Sequence, residues 1–114
     1  MPHFIIDCSE NIISFKSPKE IMQKIYNAAH ATNLFDKDDI KIRINPYKYY
    51  RIGNSKKDFI HVFSNIMEGR SNLQKAHLSK SIIKELKFMF PNIPIISINI
   101  REFDTVSYCN KSMI

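Results

Sequence analysis

The sequence contains the same pattern of elements twice, about 55 residues apart, and this repetition limits the folds open to the chain. Each copy begins with an apolar segment typical of a strand, continues with a capped amphipathic helix and ends with an alternating segment. A helix that joins two strands of one sheet makes them parallel, and the crossover is almost always right-handed. We therefore predict two β-α-β units, about residues 2–45 and 58–103, within a single domain over residues 1–114.

In the first unit, the apolar run Pro2–Cys8 predicts a buried strand, and the polar segment Ser9–Lys16 predicts a loop. Ser17 stands three residues before Glu20, which is the spacing of a helix cap. Apolar residues then recur at intervals of three and four and predict one buried helix face, made of Ile21, Met22, Ile25, Ala28 and Ala29. The helix is expected to end near Asn33.

Two strands and a turn-rich segment follow. Ile40–Ile44 alternates strictly between isoleucines and cations, so one face of this strand is expected to be apolar and the other basic. Asn45–Lys57 contains a proline, three tyrosines and a Gly-Asn pair, which predicts a loop or a short hairpin. Asp58–Glu68 predicts a second long strand that begins the second unit.

The second helix has its own start and stop signals. Ser71 and Gln74 have the spacing of a capping box, and Pro91 is expected to end the helix. The buried face is predicted to contain Leu73, Ala76, Ile83, Leu86 and Phe90, widened by Ile82 and Met89. Ile96–Arg101 alternates as a last strand, and the polar tail Asp104–Ile114 has weak strand character at 106–108.

Together the two units predict an α+β fold, with a four-stranded mixed sheet and both helices on one face. The helices cover only that face, so apolar residues on the other face need a partner chain. We place Ile5, Cys8, His61 and Phe63 in strands that are apolar on both faces. The sequence therefore predicts an oligomer that packs sheet on sheet.

The net charge of +6 is compatible with a negatively charged partner, such as nucleic acid, an acidic protein or a small carboxylate substrate. A solvated basic surface that serves solubility is the favoured interpretation of the charge alone. The apolar runs are far shorter than the roughly 20 residues that a membrane span needs, and the first residues lack the basic region of a signal peptide. We expect a cytoplasmic protein without a membrane contact. Cys8 and Cys109 are expected to be free thiols, and no pair of His or Cys residues has the spacing of a metal site.

Pro2 is a candidate general base because it directly follows the initiator methionine, which is normally removed before proline. The freed nitrogen would be a secondary amine at the start of a buried strand. A chain-terminal amine has a pKa of about 7.7–8.0, and burial and nearby cations lower this pKa. The amine can then be neutral near pH 7 and act as a general base. A Met-Pro start also occurs by chance, so this signal is weak by itself.

Two further groups of residues allow a functional and a structural interpretation. The four histidines share no metal-ligand spacing and are interpreted as structural. Tyr47, Tyr49 and Tyr50 lie beside Lys48 and Arg51, a mixture that can stack on nucleic-acid bases. Packing of this loop on a neighbouring subunit is the favoured interpretation.

Four segments form a pattern that extends over about 100 residues: the opening Pro2–Ile12 (PHFIIDCSENI), the strand Asp58–Val62, the segment Gly69–Ser71 and Glu85–Leu86. In this pattern the chain resembles the tautomerase superfamily, and within it the 5-carboxymethyl-2-hydroxymuconate isomerase family. Ile66–Ser71 also resembles the opening turn of 4-oxalocrotonate tautomerase, which agrees with a duplication of the β-α-β unit.

This resemblance implies a function. The amino-terminal proline of the family moves a proton on a conjugated keto or enol acid without metal or cofactor, and members of this length form homotrimers. Arg70 matches a family arginine that binds a substrate carboxylate. Lys41 stands where the family has a second arginine, and lysine lacks the planar guanidinium fork. Arg43, two residues further on the same strand face, is the candidate to compensate, and a solvated strand face is the alternative interpretation of both residues.

The leading hypothesis is therefore a cofactor-independent isomerase that acts on an unsaturated keto or enol dicarboxylate, such as 5-carboxymethyl-2-hydroxymuconate. Pro2 is the proposed base, and Arg70, Lys41 and Arg43 are the proposed substrate-binding residues. A catalytically inactive binding protein with the same fold is the alternative. A nucleic-acid-binding module is disfavoured because the sequence has no aromatic-rich RNA-binding sheet motif.

Overall fold

Four strands and two long helices follow one another in the order that the repeated pattern predicts. The computed structural model describes residues 1–114. Its elements are β1 (His3–Ser9), α1 (Ile12–Phe15), α2 (Pro18–Ala31), β2 (Lys41–Tyr47), β3 (Phe59–Met67), α3 (Asn72–Met89) and β4 (Ile95–Phe103).

The four strands form one mixed sheet in the order β2-β1-β3-β4. The pairs β1/β2 and β3/β4 are parallel and belong to the two β-α-β units, whereas β1 and β3 meet antiparallel in the centre. His3 pairs with Lys41 on one side and with Asn65 on the other. The starts of β1 and β2 and the end of β3 therefore lie at the same end of the sheet. This topology confirms the predicted fold class.

One face of the sheet is covered by α2 and α3. On β1, Phe4, Ile6 and Cys8 are buried while the residues between them are partly exposed, and β3 alternates in the same way. A single cluster of buried apolar residues lies between this helix-covered face and the two helices. The alternation arises because successive strand residues point to opposite faces.

The open face is more polar than the sequence led us to expect. Cys8 lies on the helix-covered face, whereas Ile5, His61 and Phe63 lie on the open face. The ring nitrogens of His61 lie 2.6 Å from Ser97 Oγ and 2.7 Å from Asn99 Oδ1. The open face thus combines apolar side chains with a hydrogen-bonded polar network.

Both long helices begin with a serine cap. Ser17 Oγ accepts a hydrogen bond from the backbone N–H of Glu20, at 3.2 Å. The cap of α3 is a complete capping box, because Ser71 Oγ accepts from the Gln74 backbone and the Gln74 side chain accepts from the Ser71 backbone. In α2, the residues that are fully buried come from the predicted stripe, namely Ile21, Ile25 and Ala29.

The buried face of α3 agrees with the predicted one at Ile82, Leu86 and Met89 but differs near the start of the helix. Its buried residues are Leu78, Ile82, Leu86 and Met89, spaced by four, four and three. Leu73 is 81% exposed, and Ala76 is exposed as well. At about 100° per residue, these two lie roughly 140° and 160° around the helix from Leu78, so they cannot share its face.

Because Leu86 is buried and Leu73 is exposed, we expect substitutions of the two leucines to change stability by very different amounts. Leu86→Ala is expected to lower the free energy of unfolding by about 2–5 kcal/mol, because it opens a cavity at a fully buried position. Leu73→Ala is the matched control and is expected to change stability by less than about 0.5 kcal/mol. Chemical denaturation of both variants measures the difference. Equal losses would contradict the orientation of α3.

Three segments outside the long helices and strands add detail to the sequence prediction or differ from it. The segment Ser9–Lys16, predicted as a loop, contains the one-turn helix α1. In Asn45–Lys57, β2 continues to Tyr47, and a tight turn follows in which Ile52 and Ser55 form an isolated bridge. No strand forms at 106–108, where the chain makes a turn instead.

The segment after β4 returns to the end of the sheet where β3 stops. The Glu68 carboxylate accepts a hydrogen bond from the Thr105 backbone, and this bond lowers the pKa of Glu68. The chain then closes with a short 3₁₀ helix over Lys111–Met113. None of the helices combines the length and the apolar character that crossing a membrane requires.

Candidate active site

Pro2 lies immediately before β1 with its side chain fully buried. Its carbonyl oxygen accepts a hydrogen bond from the Lys41 backbone N–H at 3.1 Å, which extends the parallel pairing of β1 and β2 by one step. In the full chain the Pro2 nitrogen forms the peptide bond to Met1, whose ammonium group lies 3.4 Å from Asp39 Oδ2. A basic nitrogen at Pro2 therefore requires the removal of Met1.

Arg70 follows the turn that ends β3. Gly69 has a φ of 113°, a conformation that side chains with a Cβ rarely adopt. The Arg70 guanidinium donates hydrogen bonds to the carbonyl oxygens of Leu34, at 2.7 Å, and Met67, at 3.4 Å. Two of its five N–H groups are thereby fixed, and three stay available for an anion.

Two aromatic side chains connect the Arg70 region with the start of β1. The guanidinium carbon of Arg70 lies 5.3 Å from the centre of the Phe35 ring, a cation–π distance. Phe35 in turn meets Phe4 edge to face, with 6.0 Å between the ring centres. Phe4 is two residues from Pro2 on the same side of β1. The fold thus brings Pro2 and Arg70 to one end of the sheet.

Lys41 and Arg43 lie on the same face of β2, as the alternation predicts, but this is the open face. Lys41 Nζ donates a hydrogen bond to the Asp39 carbonyl oxygen at 2.8 Å. Pro2 is in phase with Phe4 and hence with the helix-covered face. Within one chain, the two β2 cations therefore point away from the side of the sheet where Pro2 and Arg70 lie.

His3 is a member of this cationic region that the sequence analysis treated only as structural. Arg43 Nη1 lies 3.1 Å from His3 Nδ1, and because a guanidinium group only donates, Nδ1 is the acceptor and the ring proton is on Nε2. Burial lowers the pKa of His3, and the charges of Arg43, Lys41 and the chain terminus lower it further. No local sequence signal indicates this contact, because it depends on the register between β1 and β2.

The main clefts of the single chain lie away from these residues. None of its five main clefts is lined by Pro2, Lys41 or Arg70. One cleft of about 250 Å³ lies beside the Leu34 carbonyl that holds Arg70, and its lining includes Leu34 and Leu73. The candidate site is therefore an open corner of the sheet in the isolated chain.

The remaining candidate groups do not form a second reactive centre. The structure has no group of three or more His, Cys, Asp or Glu side chains that could hold a metal ion. Both cysteines are free, with Cys8 buried and Cys109 exposed. Burial, followed by the charge of Asp7, raises the pKa of Cys8 to about 11, so its thiol stays protonated at neutral pH.

Comparison with solved structures shows which known proteins share this fold. A 5-carboxymethyl-2-hydroxymuconate isomerase from Deinococcus radiodurans superposes with a TM-score of 0.85 at 23% identity, over 96% of this chain and 88% of the other. A 5-carboxymethyl-2-hydroxymuconate delta-isomerase gives 0.81 at 14% identity, over 97% and 87%. A fused 4-OT protein, described as an asymmetric trimer, gives 0.79 at 10% identity, over 96% and 92%.

Comparison at the level of sequence gives the family. No curated protein matches the chain. The family model of 5-carboxymethyl-2-hydroxymuconate isomerase matches residues 2–114, which is nearly the whole sequence and includes Pro2, Lys41, Arg43 and Arg70. The chain therefore belongs to the 5-carboxymethyl-2-hydroxymuconate isomerase family, and both this membership and its tautomerase-like fold support an isomerase.

Proposed function

We propose that the protein is a cofactor-independent tautomerase that moves a proton on an unsaturated keto or enol acid with two or more carboxylates, such as 5-carboxymethyl-2-hydroxymuconate. Pro2 is the general base once Met1 has been removed. The observation that carries this proposal is the environment of Pro2, which is fully buried at the start of β1, at the end of the sheet where Arg70 also lies. Burial favours the neutral form of an amine.

The proposed reaction is a proton transfer in two steps. The neutral Pro2 amine takes a proton from the enol hydroxyl, or from the carbon next to the carbonyl of a keto substrate, and becomes an ammonium group. The electrons of the broken O–H or C–H bond move into the conjugated system, whose negative charge is stabilised by a guanidinium group bound to a carboxylate. The ammonium group then returns the proton to another carbon of the system, so the enzyme ends in its starting state.

Arg70 is the residue proposed to bind a substrate carboxylate. Its hydrogen bonds to the Leu34 and Met67 carbonyls and its position over Phe35 hold the guanidinium in place before substrate arrives. A fixed donor loses little conformational entropy on binding. Its free N–H groups can bind a carboxylate through two parallel hydrogen bonds.

Lys41 and Arg43 are proposed to act across a subunit boundary in a homotrimer. They lie on the open sheet face, and the strands β2 and β4 are unpaired at the two edges of the sheet. A neighbouring subunit that covers the open face would place Lys41 and Arg43 of one chain at the sheet edge of another chain. The open corner at Pro2 would then become an enclosed cleft for a small anionic substrate.

The direct test is an isomerisation assay with protein whose loss of Met1 has been verified by mass spectrometry. We expect turnover of 5-carboxymethyl-2-hydroxymuconate that is unchanged by a metal chelator, because the proposed steps use only side chains and the Pro2 amine. The alternative, an inactive binding protein, predicts no turnover by the processed chain. Loss of turnover on chelation would contradict the cofactor-independent mechanism.

A further inference from the structure

A second concave site lies at the opposite end of the sheet from Pro2. This cleft of about 250 Å³ is lined by Glu10, Asn11, Tyr47, Lys48, Tyr50 and Lys56. It lies where β1 and β2 end, because Ser9 pairs with Tyr47 in the parallel register. With about 3.3 Å per strand residue, β1 separates the cleft from Pro2 by roughly 20 Å. None of the residues proposed for the isomerisation lines it.

The aromatic walls of this distal cleft are held in place by hydrogen bonds and ring contacts. The Tyr47 hydroxyl donates to Asp7 Oδ2 at 3.3 Å and accepts from the Asn45 side chain at 2.9 Å. The Tyr50 hydroxyl donates to the Lys56 carbonyl oxygen at 3.2 Å, and its ring centre lies 5.1 Å from that of Phe59. Rings that are already ordered offer a planar ligand a stacking surface at little entropic cost.

The two lysines of the distal cleft have no acidic partner. The ion pairs of the structure are Met1 with Asp39 and Lys75 with Glu102, so Lys48 and Lys56 take part in neither. Lys56 Nζ lies 5.4 Å from the centre of the Tyr50 ring. Glu10 also lines the cleft, and the carboxylates of Asp7 and Asp58 accept hydrogen bonds from its Tyr47 and Asn11. The unpaired lysines are therefore the groups of the cleft that are free to bind an anionic ligand.

We propose that the distal cleft is a binding site for a small hydroxylated aromatic carboxylate. The ligand carboxylate binds Lys48 and Lys56, and its ring packs against Tyr47 and Tyr50. Glu10 accepts the hydrogen bond of the ligand hydroxyl. The volume suits a single-ring compound, since drug-sized ligands occupy about 300–1,000 Å³.

The test measures binding of 4-hydroxybenzoate to the full chain by titration calorimetry. Two matched probes separate the contributions: 4-hydroxybenzamide lacks the charge, and 4-hydroxycyclohexanecarboxylate lacks the aromatic ring. We expect saturable binding of 4-hydroxybenzoate and at least about ten-fold weaker binding of both other probes, since each lost charge-assisted contact or stacked ring weakens binding by about that factor.

The double variant Lys48→Gln/Lys56→Gln is expected to lose at least ten-fold in affinity. Lys84→Gln, an exposed lysine of α3, serves as the control and is expected to bind as the unmodified chain does.

Three outcomes would overturn the proposal. The first is the absence of saturable binding to the unmodified chain. The second is a loss of binding in Arg70→Gln but not in the double lysine variant, which would place the ligand at the Pro2 end of the sheet. The third is a change of oligomeric state in the double variant, seen by sedimentation, without a loss of affinity, which would assign the loop to a subunit contact. None of these measurements depends on isomerase activity, so the two proposals fail independently.

Discussion

Pro2→Ala is expected to lower kcat/KM for 5-carboxymethyl-2-hydroxymuconate by about 10²-fold or more, the usual contribution of a positioned general base. Alanine at this position still permits removal of Met1, so the variant keeps a terminal amine. That amine lacks the pyrrolidine ring, which is fully buried at the start of β1 and fixes the direction of the nitrogen lone pair. Initial rates of both proteins, each verified by mass spectrometry as free of Met1, measure the effect.

A second form of the protein distinguishes the role of the basic amine from the role of the proline ring. An extension of a few residues before Pro2 leaves the ring intact but keeps the nitrogen in a peptide bond, where it has no basic lone pair. We expect this extended form to be at least as inactive as Pro2→Ala. Equal rates for the processed, extended and alanine forms would remove Pro2 from the mechanism while leaving the family assignment intact.

Most of the fold could be predicted from the sequence because its signals are local. The caps at Ser17 and Ser71 and the alternation of β2 depend on neighbouring residues, and the crossover rule then fixes which strands are parallel. The orientation of α3 was harder to predict, because Leu73 and Ala76 also fit a helical spacing with residues further along. The helix α1 was missed since it has only four residues and no side-chain cap.

The candidate site could be predicted only in part. Arg70 and Lys41 were identified through the resemblance, and the shared face of Lys41 and Arg43 follows from strand alternation. The contacts that hold the site together join residues far apart in the sequence: Arg70 with the Leu34 carbonyl, and Arg43 with His3. Such contacts depend on how strands and helices pack, which no local pattern specifies.

Arg70→Lys is expected to lower kcat/KM by about 10- to 100-fold. Lysine keeps the positive charge but cannot form two parallel hydrogen bonds to a carboxylate, and a hydrogen bond to a charged group contributes about 1.5–3 kcal/mol. At about 1.36 kcal/mol for each factor of ten, this loss gives the stated range. The variant also leaves the Leu34 carbonyl without its donor, so the free energy of unfolding is measured on the same sample.

Lys41→Arg provides the matched comparison, because it adds a guanidinium fork where Arg70→Lys removes one. If Lys41 binds the substrate, the added fork lowers KM for a dicarboxylate, and the double variant recovers part of the activity that Arg70→Lys loses. A structural role for Arg70 predicts a different pattern: the free energy of unfolding falls, while kcat/KM per folded molecule stays unchanged. That pattern would contradict the assignment of Arg70 to substrate binding. A variant that loses a contact to the substrate must lose kcat/KM even in the molecules that are folded.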